Sequence, residues 1–136
     1  QRHLGEAAHH GPLHIEWRPY CCQHEFDHML WASNLNMVRG EDSLVRALWA
    51  GNAFVWHIYP QDDLAHHAKL DAFLGWLQAP PSLSQLHRLW NSVEPGALPA
   101  LDPTTLSVWR DCAQTARGQL LAQQDLLAQL RGLRWP

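Results

Sequence analysis

The chain has 136 residues, 46% of them hydrophobic, with 10 Lys+Arg against 13 Asp+Glu for a formal charge of -3. That length buries one core and little more, and the charge balance offers no basic surface of the kind that neutralises nucleic-acid phosphates, which disfavours a nucleic-acid partner. No apolar run approaches the ~20 residues of a membrane helix, no charged-then-apolar leader opens the chain, and three cysteines, Cys21, Cys22 and Cys112, build no disulfide framework; a soluble protein of a reducing cytoplasm is the expectation.

Residues Gln1 to Pro12 show no period and read as a loop or frayed end. Leu13 to Trp17 alternates apolar and polar side chains, the period of a strand with one buried face, and Pro19 ends it. A helix follows over Gln23 to Ala32, with Phe26, Met29 and Leu30 at helical spacing. Leu35 to Val38 reads as a second strand, and Leu44 to Ala50 as a second helix capped by Asp42 or Ser43 and stopped by Gly51. Ala53 to Tyr59 is the best strand in the chain, and its near-continuous apolar run suits a parallel strand covered on both faces. Asp62 or Asp63 can cap a helix over Leu64 to Leu77, with Ala65, Ala68, Ala72, Phe73 and Trp76 as its apolar stripe. After a break at Ala79-Pro80-Pro81, the expectation is a helix over Leu83 to Ser92, a linker over Glu94 to Leu101, and a long helix from Asp102 to about Leu133. Asp102 is that helix's N-cap and Pro103 its first residue. Most of the eight Trp should be core or interface anchors.

Alternating strands and helices imply an α/β fold with a parallel sheet, in which ligands lie beyond the carboxyl ends of the strands. Chemistry is therefore sought at Tyr20 and Gln23, at Arg39 to Ser43, and at Tyr59 to Asp62. In the middle turn, Gly40 permits close ligand approach, and the first amides of the next helix point at an anion. Arg39 can make paired bonds to phosphate oxygens, and the Ser43 hydroxyl donates one more. Glu41 and Asp42 would repel a phosphate if they faced it, so one should cap the helix and the other accept from sugar hydroxyls. The competing reading is a surface ion pair between Arg39 and Glu41 or Asp42.

Other motifs are weaker. His24-Glu25-Phe26-Asp27-His28 fits the HExxH zinc-protease pattern, but Trp31 stands where the extended motif needs glycine. His66 and His67 point to different helix faces and read as solvated. Cys21 and Cys22 lack a partnered base and read as packing rather than nucleophiles. GxGxxG and P-loop signatures are absent.

Several blocks carry a resemblance in order: Gln23, Phe26-Asp27, Leu30-Trp31, Asn36, Val38 to Ser43, Val45-Arg46-Ala47, Trp49-Ala50-Gly51, Phe54 to Gln61, Lys69-Leu70 and Ala72-Phe73-Leu74. They resemble the bacterial elongation factor P arginine rhamnosyltransferases, the EarP family, closely over Tyr20 to Leu74 and loosely elsewhere. The resemblance implies a GT-B glycosyltransferase that transfers L-rhamnose, with inversion, from dTDP-L-rhamnose to an arginine of elongation factor P, without a metal or other cofactor. It covers only the greater part of the C-terminal, donor-binding domain. Residues 1–101 would be a partial Rossmann-like domain, and 102–136 its terminal helix, reaching through Trp109 and Trp135 toward a missing N-terminal domain. Carried over by position, Tyr20, a phenylalanine in most members, would pack on thymine, Gln23 would read the base edge, and Phe26 would lie near the base. Arg39, Gly40, Glu41, Asp42 and Ser43 would hold the diphosphate and ribose, and the Tyr59 hydroxyl would reach the diphosphate. Ser33-Asn34 and Leu48 also depart from the family's pattern. Glu41 is a possible catalytic residue, but the main acidic groups that activate the acceptor belong to the N-terminal domain. The expectation is a donor-binding half, inactive alone, with a non-catalytic binding module as the alternative.

Overall fold

The computed structural model describes residues 7–132. The order is β1 (Ala7–His10), β2 (Leu13–Glu16), α1 (Gln23–Ala32), β3 (Leu35–Arg39), α2 (Glu41–Ala50) and β4 (Ala53–His57), then α3 (Ala65–Leu77), α4 (Pro81–Trp90), α5 (Pro103–Leu121) and α6 (Leu126–Gly132). β3 and β4 pair in parallel, Leu35 opposite Ala53 and Arg39 opposite His57. α4 and α5 pack on β4, while α2 lies against α1, β3 and α5. This is the α/β arrangement the alternating pattern implies, with a 19-residue C-terminal helix.

The strand at the start differs from expectation. β2 does not join the parallel sheet; it pairs antiparallel with β1, Ala7 opposite Glu16 and His10 opposite Leu13. Gly11, at φ +60°, makes the reversal in two residues, so a segment without apolar period is drawn into a backbone-paired hairpin. Accordingly Leu13 is exposed. Gln1 to Glu6, and Trp135 with its suggested contact, lie outside the described residues.

β4 is the centre of the core. Ala53, Phe54, Val55 and Trp56 are all buried, because α5 covers one face with Trp109, Ala113 and Ala116 and the helices α3 and α4 contribute Leu70, Leu74, Leu83 and Leu86. One edge of β4 belongs to β3. On the other, His87 of α4 and Asn91, that helix's C-cap, replace a neighbouring strand: His87 Nε2 accepts from Trp56 N–H (3.1 Å) and Asn91 Oδ1 from Ile58 N–H (2.9 Å). Asn91 Nδ2 then donates to the Trp56 carbonyl at 2.8 Å. His87 Nδ1 lies 3.0 Å from the Leu83 carbonyl, which can only accept, so the ring is neutral with its proton on Nδ1. Burial favours that neutral state and lowers the His87 pKa to about 4.

Other expectations are corrected by packing. α3 buries His66, Leu70, Leu74 and Leu77, not the Ala-rich stripe, because leucine removes more apolar area from water than alanine does. His66 is therefore buried rather than solvated, its Nδ1 accepting from Gln61 N–H at 3.0 Å. Leu64, left-handed at φ 58°, occupies the N-cap position of α3, while Asp63 accepts from Ala65 N–H. α4 starts two residues early because Pro81 suits the first turn. The last helix breaks after Leu121, and Asp125 restarts it as α6 by accepting from Ala128 N–H at 2.8 Å. Its Leu127 and Leu130 are exposed rather than part of one stripe. Trp109 is fully buried and donates to Ser82 Oγ (2.9 Å), so it is a core residue and not an outward contact. Trp56 is also buried, whereas Trp31, Trp49, Trp76 and Trp90 are exposed. Asp102 and Pro103 begin α5 as expected, Asp102 accepting from Thr105 N–H at 2.7 Å, a bond that holds its carboxyl below the usual range. No helix among the described residues is long and apolar enough to cross a membrane.

Candidate functional site

The turn between β3 and α2 is built around Gly40. Its φ of 79° and ψ of 172° lie in a region essentially restricted to glycine. Its N–H donates to the His57 carbonyl (3.2 Å) and its own carbonyl accepts from Trp56 Nε1 (3.1 Å), which fixes the turn to the end of β4. A Cβ added here would sit 2.9 Å from Tyr59 Cε2, so the Tyr59 ring lies directly on the glycine. The same ring receives Arg39, whose guanidinium carbon is 5.1 Å from the ring centroid. Gly40 itself is the N-cap of α2, in place of Asp42 or Ser43, and no side chain caps that end. The first amides of α2 thus face out of the turn, with the positive end of the helix dipole behind them.

The acidic residues of the turn are disposed differently from expectation. Asp42 neither caps the helix nor meets Arg39; it accepts from Arg46 Nε at 3.0 Å. Arg46 Nη1 reaches both carboxylate oxygens of Asp27 on α1, at 2.9 and 3.0 Å. The hydrogen bonds to Asp27 and then Asp42 raise the Arg46 pKa further above its ordinary value. Glu41 is exposed on the first turn. Among the described residues Arg39 forms no ion pair, so the surface-pair reading of Arg39 fails.

Between α1 and α2 lies an open groove of about 520 Å³, lined among others by Tyr20, Gln23, Phe26, Asp42, Ser43 and Arg46. A neighbouring hollow of about 420 Å³ shares Phe26 and Ser43 and adds Arg39. Five of the residues expected at a nucleotide site therefore share one groove, and Arg39 opens onto the next. Gly40, Glu41 and Tyr59 line neither; Gly40 and Tyr59 shape the turn, and Glu41 stands beside it. Tyr20 is fully exposed on the groove's rim, its ring free to cover a planar ligand. Arg18 and Pro19, which also line the groove, were not expected. Nor was the role of Arg46 and Asp27, although the Asp42 to Arg46 spacing of four residues is a readable helix pair.

The HExxH histidines are stacked edge to face, 4.6 Å between centroids, and the intervening Glu25 is engaged, accepting from Cys22 N–H at the start of α1 (3.1 Å). Among the described residues no group of three or more His, Cys, Asp or Glu is placed to hold a metal. Cys21 and Cys22 are exposed free thiols rather than packing residues.

Comparison with known proteins identifies the family. A family model described as "Elongation-Factor P (EF-P) rhamnosyltransferase EarP" matches residues 1–133. A protein-arginine rhamnosyltransferase of Pseudomonas aeruginosa is 38% identical over 93% of this chain and 36% of its own length. One from Pseudomonas putida is 44% identical over 65% of this chain and 25% of its own. A solved structure from work on the structural basis for EarP-mediated arginine glycosylation of translation elongation factor EF-P aligns with a TM-score of 0.75 at 30% identity. It is matched over 96% of this chain and 43% of that one. The chain thus spans less than half the length of each of these relatives.

Proposed function

The chain belongs to the EarP family of elongation factor P rhamnosyltransferases, and from that premise we propose that it is the donor-binding part of a protein-arginine rhamnosyltransferase of the bacterial cytoplasm. The observation that carries this reading is Arg39, paired with no carboxylate among the described residues, beside the uncapped start of α2 and next to a groove that gathers Tyr20, Gln23 and Phe26. Because Arg46 holds Asp42, the turn presents a guanidinium and outward amides rather than a self-neutralised pair.

The donor is dTDP-L-rhamnose. Its thymine lies between Tyr20 and Phe26, with the Gln23 amide on the base edge, and its diphosphate meets Arg39, the α2 amides and the hydroxyls of Ser43 and Tyr59. Glu41 and Asp42 accept from ribose or sugar hydroxyls. These groups meet the diphosphate's charge without a metal, and as dTDP leaves they stabilise the charge that develops on it. Transfer forms a bond from an acceptor guanidine nitrogen to the anomeric carbon as the bond from that carbon to dTDP breaks, with inversion, and the nitrogen gives up a proton.

The acceptor arginine of elongation factor P is a poor nucleophile because its guanidinium is charged and delocalised. Carboxylates must hold and polarise it in a cleft that excludes water, and those belong to the N-terminal domain of the complete enzyme. Glu41 is the one carboxylate of this turn not engaged by Arg46 and is this chain's candidate for a catalytic role. Mass spectrometry of elongation factor P tests the reading, after incubation with dTDP-L-rhamnose and this chain, alone or with the separately produced remainder of a relative. Rhamnosylation only in the mixture is expected. Transfer by the chain alone would contradict the half-site reading, and donor binding without transfer in the mixture would favour a binding module.

A further inference from the structure

One side chain ties the two walls of the groove together. Gln23 and Phe26 stand on α1 and Asp42 and Ser43 on α2, and the two helices are joined by Arg46, with Asp27 on one arm and Asp42 on the other. We propose that Arg46 is a positioning residue for the nucleotide-sugar: it fixes the base-reading wall relative to the phosphate-facing turn and keeps the Asp42 carboxylate off the anion site. The proposal rests on the donor reading of the groove.

The Asp27 arm is the stronger one. The Arg46 and Asp27 side chains are only 22% and 31% exposed, so water competes weakly for these charge-assisted bonds. They connect residues 19 apart in sequence, which makes them tertiary rather than local. Arginine suits the role because its planar fork reaches two carboxylates at once, where a lysine offers a single point charge. Asp42, by contrast, is 78% exposed and is held by this bond. It sits in the first turn of a helix whose N-terminus has no side-chain cap, and a freed carboxylate there is drawn toward the first amides. Those are the amides a diphosphate would use, so losing Arg46 would both loosen the walls and set an internal anion against the ligand.

Calorimetric titration with dTDP and dADP tests this on the unsubstituted chain, Asp27→Asn, Arg46→Gln and the double variant. Each single change is expected to raise the Kd for dTDP about tenfold, and the double change no more than the worse single one, because one link is being removed. The preference for dTDP over dADP should shrink as Gln23 and Phe26 lose register; a general loss of folded protein would weaken both nucleotides alike. Thermal melts without ligand check folding, and Asp27→Asn preserves side-chain volume. Charge alone predicts that Asp27→Asn binds the anionic ligand more tightly. Binding by this variant that is unchanged or tighter would therefore overturn the positioning role, while the donor reading would stand. Failure of the unsubstituted chain to bind dTDP would overturn that reading and the positioning role with it.

Discussion

Acidification should destabilise this chain through His87. Its ring holds the free edge of β4 only when neutral, since protonating Nε2 would remove the acceptor for Trp56 N–H. The folded-state value of about 4 lies below the ordinary 6.5, so between those values the unfolded chain binds a proton that the folded chain refuses. The contribution is intact above pH 6.5 and is lost as pH falls toward 4, where it amounts to about 3 kcal/mol. Between pH 7 and pH 5 the loss is about 2 kcal/mol, a large part of a small domain's stability. Urea unfolding at the two pH values measures it; with a slope of about 1.5 kcal/mol/M, the midpoint should drop by about 1 M. Other groups titrate in this range as well, so the comparison is with His87→Gln, whose amide can accept from Trp56 without titrating. The variant should show a pH dependence weaker by about 2 kcal/mol. Equal pH dependence in the two proteins would refute the neutral-acceptor role.

Two further outcomes follow from the turn and the groove. Gly40→Ala forces a side chain into a backbone region it rarely occupies and against Tyr59; the expected loss is on the order of 2 kcal/mol, read as a lowered thermal midpoint together with weakened dTDP binding. An unchanged midpoint would show that the turn relaxes. Gln23→Ala should reduce the preference for dTDP over dCDP several-fold in competition titrations, and an unaltered preference would move base reading to another residue.

The sequence made α1, β3, β4 and the two glycine positions legible because each is specified locally. α1 has its helical period, β4 its continuous apolar run, and Gly40 and Gly51 supply positive φ at the ends of α2. What was hidden depends on partners distant in sequence. His87 and the α4 C-cap Asn91 sit four residues apart like any polar pair, and their role appears only when β4, more than 30 residues earlier, needs acceptors along its second edge. The buried face of α3 is set by its leucines and His66, a preference that apolar spacing alone does not distinguish from the alanine stripe. β1 carries no hydrophobic period, since its place is set by backbone pairing with β2. At the candidate site, the residues of the turn were readable and their electrostatics were not. The sequence suggested Arg39 as the partner of Asp42, whereas the structure gives Asp42 to Arg46, which also reaches Asp27 across from α1.

The most direct test of the donor-site account is calorimetric titration of dTDP into the unsubstituted chain and into Arg39→Ala. Measurable binding that requires Arg39, lost by at least tenfold in the variant because a charge-assisted contact to the diphosphate is removed, is the expected result. Equal affinity in the two proteins, or no binding by the unsubstituted chain, would contradict it.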